Sequence, residues 1–414
     1  DGSVTVRDTA AGDGDDGTDR VQAVESLRFA DTSVNLLALG LDLVVAQLSQ
    51  SAVSVLIGDG DGGFVPAAEP EVTVGDRPFG AALGDLDGDG DLDLVAINNN
   101  DTVASVCLGN GDGSFAAATA VDGARGRALA LGDLDGDGDL DLVTAAYGPD
   151  SIRVNLGDGA GGFTAVAEPG TTAPGKTRGI ALGDVDGDGT LDLLTANDNG
   201  EDPSTISVFL GDGDGSFTAA AEVGVGDGPH AVALGDLDRD GNLDLVSANG
   251  SGSLSVRLGD GLGGFVAADG AEIPLAGSSF CLALGDLDGD GRLDLVAGGA
   301  GYVAVLLGQG DGRFVAAGPD VTIAGVAKTL ALGDLDGDGD LDLVAGSDSN
   351  GFVSIRLNDG SGGFAAGSDL DIGEASWGVA LGDLDGDGWG GLTPAGLPVV
   401  GAGLPYAADP GWIA

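Results

Sequence analysis

Six times the chain writes an acidic loop of the form Asp-x-Asp-x-Asp-Gly-x-Leu-Asp, starting at Asp85, Asp133, Asp184, Asp236, Asp286 and Asp334, with starts 48 to 52 residues apart. A seventh copy opens at Asp383, 49 residues on, and loses its tail. Carboxylates at every second position repel one another, and a compact fold tolerates them where a hard cation sits among them. Calcium takes roughly six to eight oxygens from carboxylates, backbone carbonyls and water. The loop therefore points to calcium, and its recurrence points to a repeat architecture.

The candidate ligands follow the loop frame. Positions one, three and five are Asp85, Asp87 and Asp89; Asp133, Asp135 and Asp137; Asp184, Asp186 and Asp188; Asp236, Asp238 and Asp240; Asp286, Asp288 and Asp290; Asp334, Asp336 and Asp338. Position six is always Gly, the residue that enters left-handed backbone without strain. Position seven varies: Asp91, Asp139, Thr190, Asn242, Arg292, Asp340. An Arg side chain cannot ligate a cation, so position seven is expected to offer its carbonyl. Position nine returns to Asp at Asp93, Asp141, Asp192, Asp244, Asp294 and Asp342. The partial copy keeps Asp383, Asp385 and Asp387. An EF-hand would need Glu at position twelve between helices. Here that position is Ala96 or Thr144, and the flanks read as strands.

Each unit holds four short apolar runs, as at 80–83, 92–97, 102–108 and 115–121, bounded by Gly, Asp and Asn. The last two are joined by a Gly-rich turn closed by an aromatic: Phe64, Phe115, Phe163, Phe217, Phe265, Phe314 and Phe364. Seven such hairpins imply an all-β, seven-bladed β-propeller of four-stranded antiparallel sheets, with the acidic loops between first and second strands.

These units resemble FG-GAP or VCBS-type repeats, as in the integrin α-subunit propeller and many bacterial surface proteins, over residues 36–388. In integrin-like propellers the face opposite calcium receives the partner. Two departures mark the ends. In the first unit Gly40 runs straight into Leu41-Asp42-Leu43-Val44, so only the last acid of a loop remains. Two closures are open: the last first-strand, 377–382, packs into the first blade and Asp42 completes its metal site, or the first unit keeps its own inner strand through a tight turn at Gly40. Residues 389–414 are Pro/Gly-rich and irregular. Residues 1–35, with Gly17–Asp31, resemble the end of an RTX-type β-roll region. That resemblance implies type I secretion from a larger bacterial parent protein. The plainer reading is an outer strand or cap on the first blade. No signal peptide is visible at Asp1, so either it has been removed or the chain is a fragment.

Sixty-eight acids against 15 bases give a formal charge of −53, which disfavours nucleic acid and anionic membrane as partners. A salt-rich habitat is a second reason for such acidity. Six complete loops and the partial seventh would return some positive charge as Ca2+. Weak, many-site calcium binding suits an extracellular or cell-surface setting. Cys107 and Cys281 lie in different units, and no disulfide is expected between them.

Six residues before each loop's first Asp stands a varied, bulky position: Phe79, Arg127, Arg178, His230, Phe280, Lys328 and Trp377. The residue after it is small, and Ala stands three residues before the Asp, which lets inner strands crowd the axis. The bulky set should ring the channel mouth opposite calcium, where it either binds a small anion, glycan or protein or simply plugs the channel. The connections Asn98–Asp101 and 197–204 are weaker candidates on that face. The function expected is an adhesion or ligand-binding module. A structural spacer is the alternative. One His, no nucleophile elbow and no Cys–His pair argue that the chain is not an enzyme, such as a propeller-type polysaccharide lyase or calcium-dependent phosphatase.

Overall fold

The computed structural model describes residues 40–386, apart from 100–102, 147–151, 168, 172–174, 199–203, 350 and 366. Before residue 40 it describes only the backbone of two small ribbons, Thr5–Val6 with Asp19–Arg20 and Ser26–Arg28 with Ser33–Asn35. The rest of the N-terminal segment, Asp387 and the tail from 389 lie outside the described residues.

The described strands form seven four-stranded antiparallel blades. Blade 2 runs Pro78–Gly84, Asp93–Asn98, Val103–Cys107 and Thr119–Asp122. Blade 3 runs Ala128–Gly132, Asp141–Ala145, Ile152–Gly157 and Phe163–Ala165. Blade 4 runs Lys176–Gly183, Asp192–Asp198, Thr205–Gly211 and Phe217–Ala219, with Val223–Gly224 beside the third strand. Blade 5 runs Pro229–Gly235, Asp244–Asn249, Ser253–Gly259 and Phe265–Pro274. Blades 6 and 7 are joined by shared strands. Asp294–Gly308 turns at Gly301 (φ 82°) and pairs with Ser279–Gly285 through its first half. Its second half pairs with Phe314–Ala316 and Val321–Gly333. The latter continues into blade 7 against Asp342–Ser347, which is followed in the sheet by Phe352–Arg356 and Asp369–Asp371.

Blade 1 takes its inner strand from the far end of the chain. Ser376–Gly382 pairs with Asp42–Gln47, followed by Ala52–Gly58 and Phe64–Thr73. Of the two closures open from sequence, the strand pairing is that of the first. The inner strands touch their neighbours in a complete cycle of seven.

Period-two alternation explains why both faces of a middle strand are buried. In Asp42–Gln47, Leu43 and Val45 face the seam with blade 7, while Val44 and Ala46 face blade 2. Seven apolar clusters result, one per seam. Each fully buried Val or Leu contributes about 1.5–3 kcal/mol relative to exposure. The closing aromatic of each Gly-rich turn packs on the seam with the preceding blade, as Phe115 does on blade 1 and Phe163 on blade 2. At six seams, among the described residues, a turn Gly N–H also donates to the carbonyl of position two in the preceding acidic loop, for example Gly161 to Leu86 at 3.0 Å. Small residues let the inner strands crowd the axis: a Cβ on Gly378 would sit 2.9 Å from Gly80 Cα.

Candidate metal centres

Each acidic loop is a tight spiral held by its own carboxylates. In the first complete copy, Asp85 accepts the N–H of Gly88 (2.8 Å) and Gly90 (3.1 Å). Asp89 accepts that of Asp91 at 2.9 Å. Position-six glycines are left-handed, with φ 90–95° at Gly90, Gly138, Gly189, Gly241 and Gly339 and 77° at Gly291. Position four is left-handed as well, at Gly88, Gly136, Gly187, Gly289 and Gly337.

The ninth Asp behaves differently. It is almost fully buried at the start of the second strand and accepts two backbone N–H bonds. Asp192 takes Val185 and Gly211, both at 2.7 Å. Asp93, Asp141, Asp244, Asp294 and Asp342 repeat the arrangement. It therefore ties the acidic loop to the end of the third strand of its own blade, where the turn to the fourth begins. Burial pushes the carboxyls of Asp141, Asp192 and Asp244 up to about 6 and that of Asp342 to about 7, with the neighbouring acids adding to the rise. Burial raises Asp93 and Asp294 too.

The oxygens that converge belong to positions one, three and nine. Asp85, Asp87 and Asp93 bring carboxylate oxygens within 4.8 Å of one another; so do Asp133, Asp135 and Asp141; Asp184, Asp186 and Asp192; and Asp236, Asp238 and Asp244. Asp42 joins Asp383 and Asp385 in the same way. Asp42 also accepts Leu384 N–H (2.8 Å) and Gly58 N–H (2.9 Å), which makes it the position-nine acid of a loop whose Leu384 lies 342 residues away. Seven acidic groups of this kind occur among the described residues. The acids of position five (Asp89, Asp137, Asp188, Asp240, Asp290 and Asp338) accept the N–H of position seven. The donor set is oxygen-only and anionic, with no His or Cys in the named trios, which fits a hard divalent cation rather than a transition metal.

At the other end of the inner strands the bulky set does converge. In six blades the residue is the extra one of a β-bulge: the ladder passes from Pro78 to Gly80, skipping Phe79, and likewise skips Arg178, His230, Phe280, Lys328 and Trp377. A bulge re-aims its side chain out of the sheet. Arg127 stands just before its strand and donates its N–H to the Ala145 carbonyl at 2.8 Å. The side chains stack into a chain: Arg127 over Phe79 (4.7 Å), Phe79 on Trp377 (4.2 Å), Lys328 over both Trp377 (5.4 Å) and Phe280 (3.4 Å), and Phe280 on His230 (5.1 Å). Arg178 pairs with Asp198 at 2.7 Å and Lys328 with Asp348 at 3.5 Å. Burial, helped by the Arg178 charge, lowers the His230 imidazole to about 4. Asn98 and Asn197 stand at the start of the two weaker candidate connections. Both are buried, Asn98 bonded to Ser105 and Asn197 to Ser207, while 100–102 and 199–203 lie outside the described residues. Cys107 and Cys281 are free and buried, and burial lifts their thiols to about 11 and about 12.

No described helix is long and apolar enough to cross a membrane. The model of the FG-GAP-like repeat matches seven times, at residues 40–96, 85–144, 133–195, 185–247, 236–297, 286–345 and 334–390. The chain is similar to human cartilage acidic protein 1, with 37% identity over 97 residues, which is 22% of this chain and 14% of that protein's length. In fold it is similar to an Agrocybe aegerita lectin that recognises non-reducing terminal N-acetylglucosamine (TM-score 0.59, 23% identity, 85% of this chain and 97% of that one). It is also similar to a periplasmic gluconolactonase of Pseudomonas aeruginosa (0.61, 18%, 83% and 99%) and to a 6-phosphogluconolactonase candidate of Bacteroides uniformis (0.61, 13%, 83% and 99%). These lactonases correct the expectation from sequence that the chain is not an enzyme: propellers of this same fold carry enzymes, so the missing nucleophile elbow and Cys–His pair exclude only some chemistries.

Proposed function

The chain belongs to the FG-GAP-like repeat family, and on that premise we propose that it is a calcium-stabilised propeller acting as an extracellular ligand-binding or adhesion module. Asp85, Asp87 and Asp93, with their counterparts in the other blades, would hold the ions. Bound calcium would supply the positive charge that lets the crowded acids stay ionised. The carboxylates of position nine then hold loop, second strand and turn together.

The ligand is received at the opposite mouth. The observation that carries this reading is the set of six bulged residues, Phe79, Arg178, His230, Phe280, Lys328 and Trp377, with Arg127 stacked on Phe79. Basic groups stand there between aromatic faces, in a chain with only 15 Lys and Arg. Stacking faces and charged donors suit a glycan or an acidic segment of a protein. The lectin of the same fold gives this reading independent weight. A screen of glycans and acidic peptides, with and without calcium, tests it. The triple variant Arg127→Ala, Arg178→Ala, Lys328→Ala should bind the selected ligand at least about tenfold more weakly, one lost charged contact being worth on that order. Undiminished binding by a folded triple variant would mean that these side chains only fill the channel.

A further inference from the structure

The loop of blade 6 differs from its sisters. Position seven there is Arg292, whose guanidinium pairs with Asp290 of the same loop. Position four of the blade 5 loop is Arg239, where five other complete loops carry Gly. Arg239 is held at φ 65°, backbone that a non-Gly residue adopts at a cost. Its guanidinium crosses the seam and donates to the Gly291 carbonyl in the blade 6 loop. Both arginines thus converge on one loop, from two different blades. Gly291 is also the position-six glycine that departs from the common backbone, at φ 77° against 90–95° in the five other complete loops.

Charge follows the geometry. The blade 6 loop has four acids, Asp286, Asp288, Asp290 and Asp294, faced by two guanidinium groups. The loops of blades 2, 3 and 7 have five acids and no base within the loop. Affinity of such loops for calcium is tuned by ligand charge and rigidity. A guanidinium beside the fifth acid also repels an incoming divalent ion.

We propose that Arg239 and Arg292 are built-in counter-ions of the blade 6 loop, which make it the complete loop with the weakest hold on calcium and the least need of it. This rests on the calcium reading given above. The seven loops are then graded rather than equivalent, and the blade 5–6 seam keeps its loop shape when free calcium falls.

Counting bound ions by equilibrium dialysis and native mass spectrometry, over a series of free calcium concentrations, tests the grading. The full chain is compared with Asp288→Asn (blade 6), Asp135→Asn (blade 3) and the double variant Arg239→Gly, Arg292→Asp, which restores residues found in sister loops. At a free calcium low enough that the full chain is one ion short of saturation, Asp135→Asn should lose a further ion and Asp288→Asn none. The double variant should tighten the weakest step by about tenfold, the scale expected for a change in ligand charge. An ion lost from Asp288→Asn at the same concentration, or a weakest step unmoved in the double variant, overturns this inference while leaving the calcium reading intact. A full chain that holds no calcium overturns both.

Discussion

His230 is the only histidine in the chain, and its position shows how a single residue answers to the ring around it. It sits on Phe280 and donates its Nδ1 proton to the Ser279 carbonyl at 3.1 Å. Burial and the nearby Arg178 and Lys328 charges favour its neutral form and lower its value to about 4 from an ordinary 6.5. The folded state therefore binds its proton less readily than the unfolded chain. The stability this contributes is fully present above pH 6.5 and is lost as pH falls towards 4. Melting temperatures of the chain and of His230→Gln, taken every half unit between pH 4 and 7.5, should give a difference that shrinks as pH falls. A difference flat with pH would contradict the placement of this imidazole. The same residue marks the limit of what residue types alone encode. Its varied position six residues before the loop pointed to the mouth. The bulge that turns it there depends on a skipped ladder pair, which no residue type announces. Arg239 was written plainly in place of a glycine, yet its meaning lies in a seam between two blades.

At the level of strands, the repeat was legible because each unit buries both faces of its middle strands and writes the same loop at the same place. The fourth strand was less so: in blade 2 it begins at Thr119, and Phe115 makes only an isolated bridge to Gly109. That aromatic is spent on the seam with blade 1 rather than on the ladder. Closure of the ring stayed open between two forms for a physical reason. Pairing of Ser376–Gly382 with Asp42–Gln47 joins segments more than 300 residues apart, and local pattern does not encode such a partner. The closing strand buries Val379 and Leu381 among Leu43, Val45 and Val344, and its loop gives Leu384 N–H to Asp42. Removing residues 376–414 should abolish a single cooperative melt, because two seams lose their inner strand together. Calorimetry checks this, and a truncated chain that melts as sharply as the full one would contradict closure by this strand.

For the molecule as a whole, the dominant quantity is a formal charge of −53, much of it concentrated in loops along one rim. Apolar seams and inner-strand contacts give the wheel its shape. The same contacts bring the acids of each loop together, and the ninth Asp of each trio is among the most buried groups in the chain. Cation binding at these trios would be linked to folding by mass action, since the trios exist only when strands and turns are in place. Thermal unfolding in calcium and in excess chelator measures this linkage most directly. The account predicts a melting temperature lower by roughly 10 °C or more in chelator, given several sites released together, and restored by calcium but not by the same concentration of magnesium. Melts that coincide with and without chelator would contradict it.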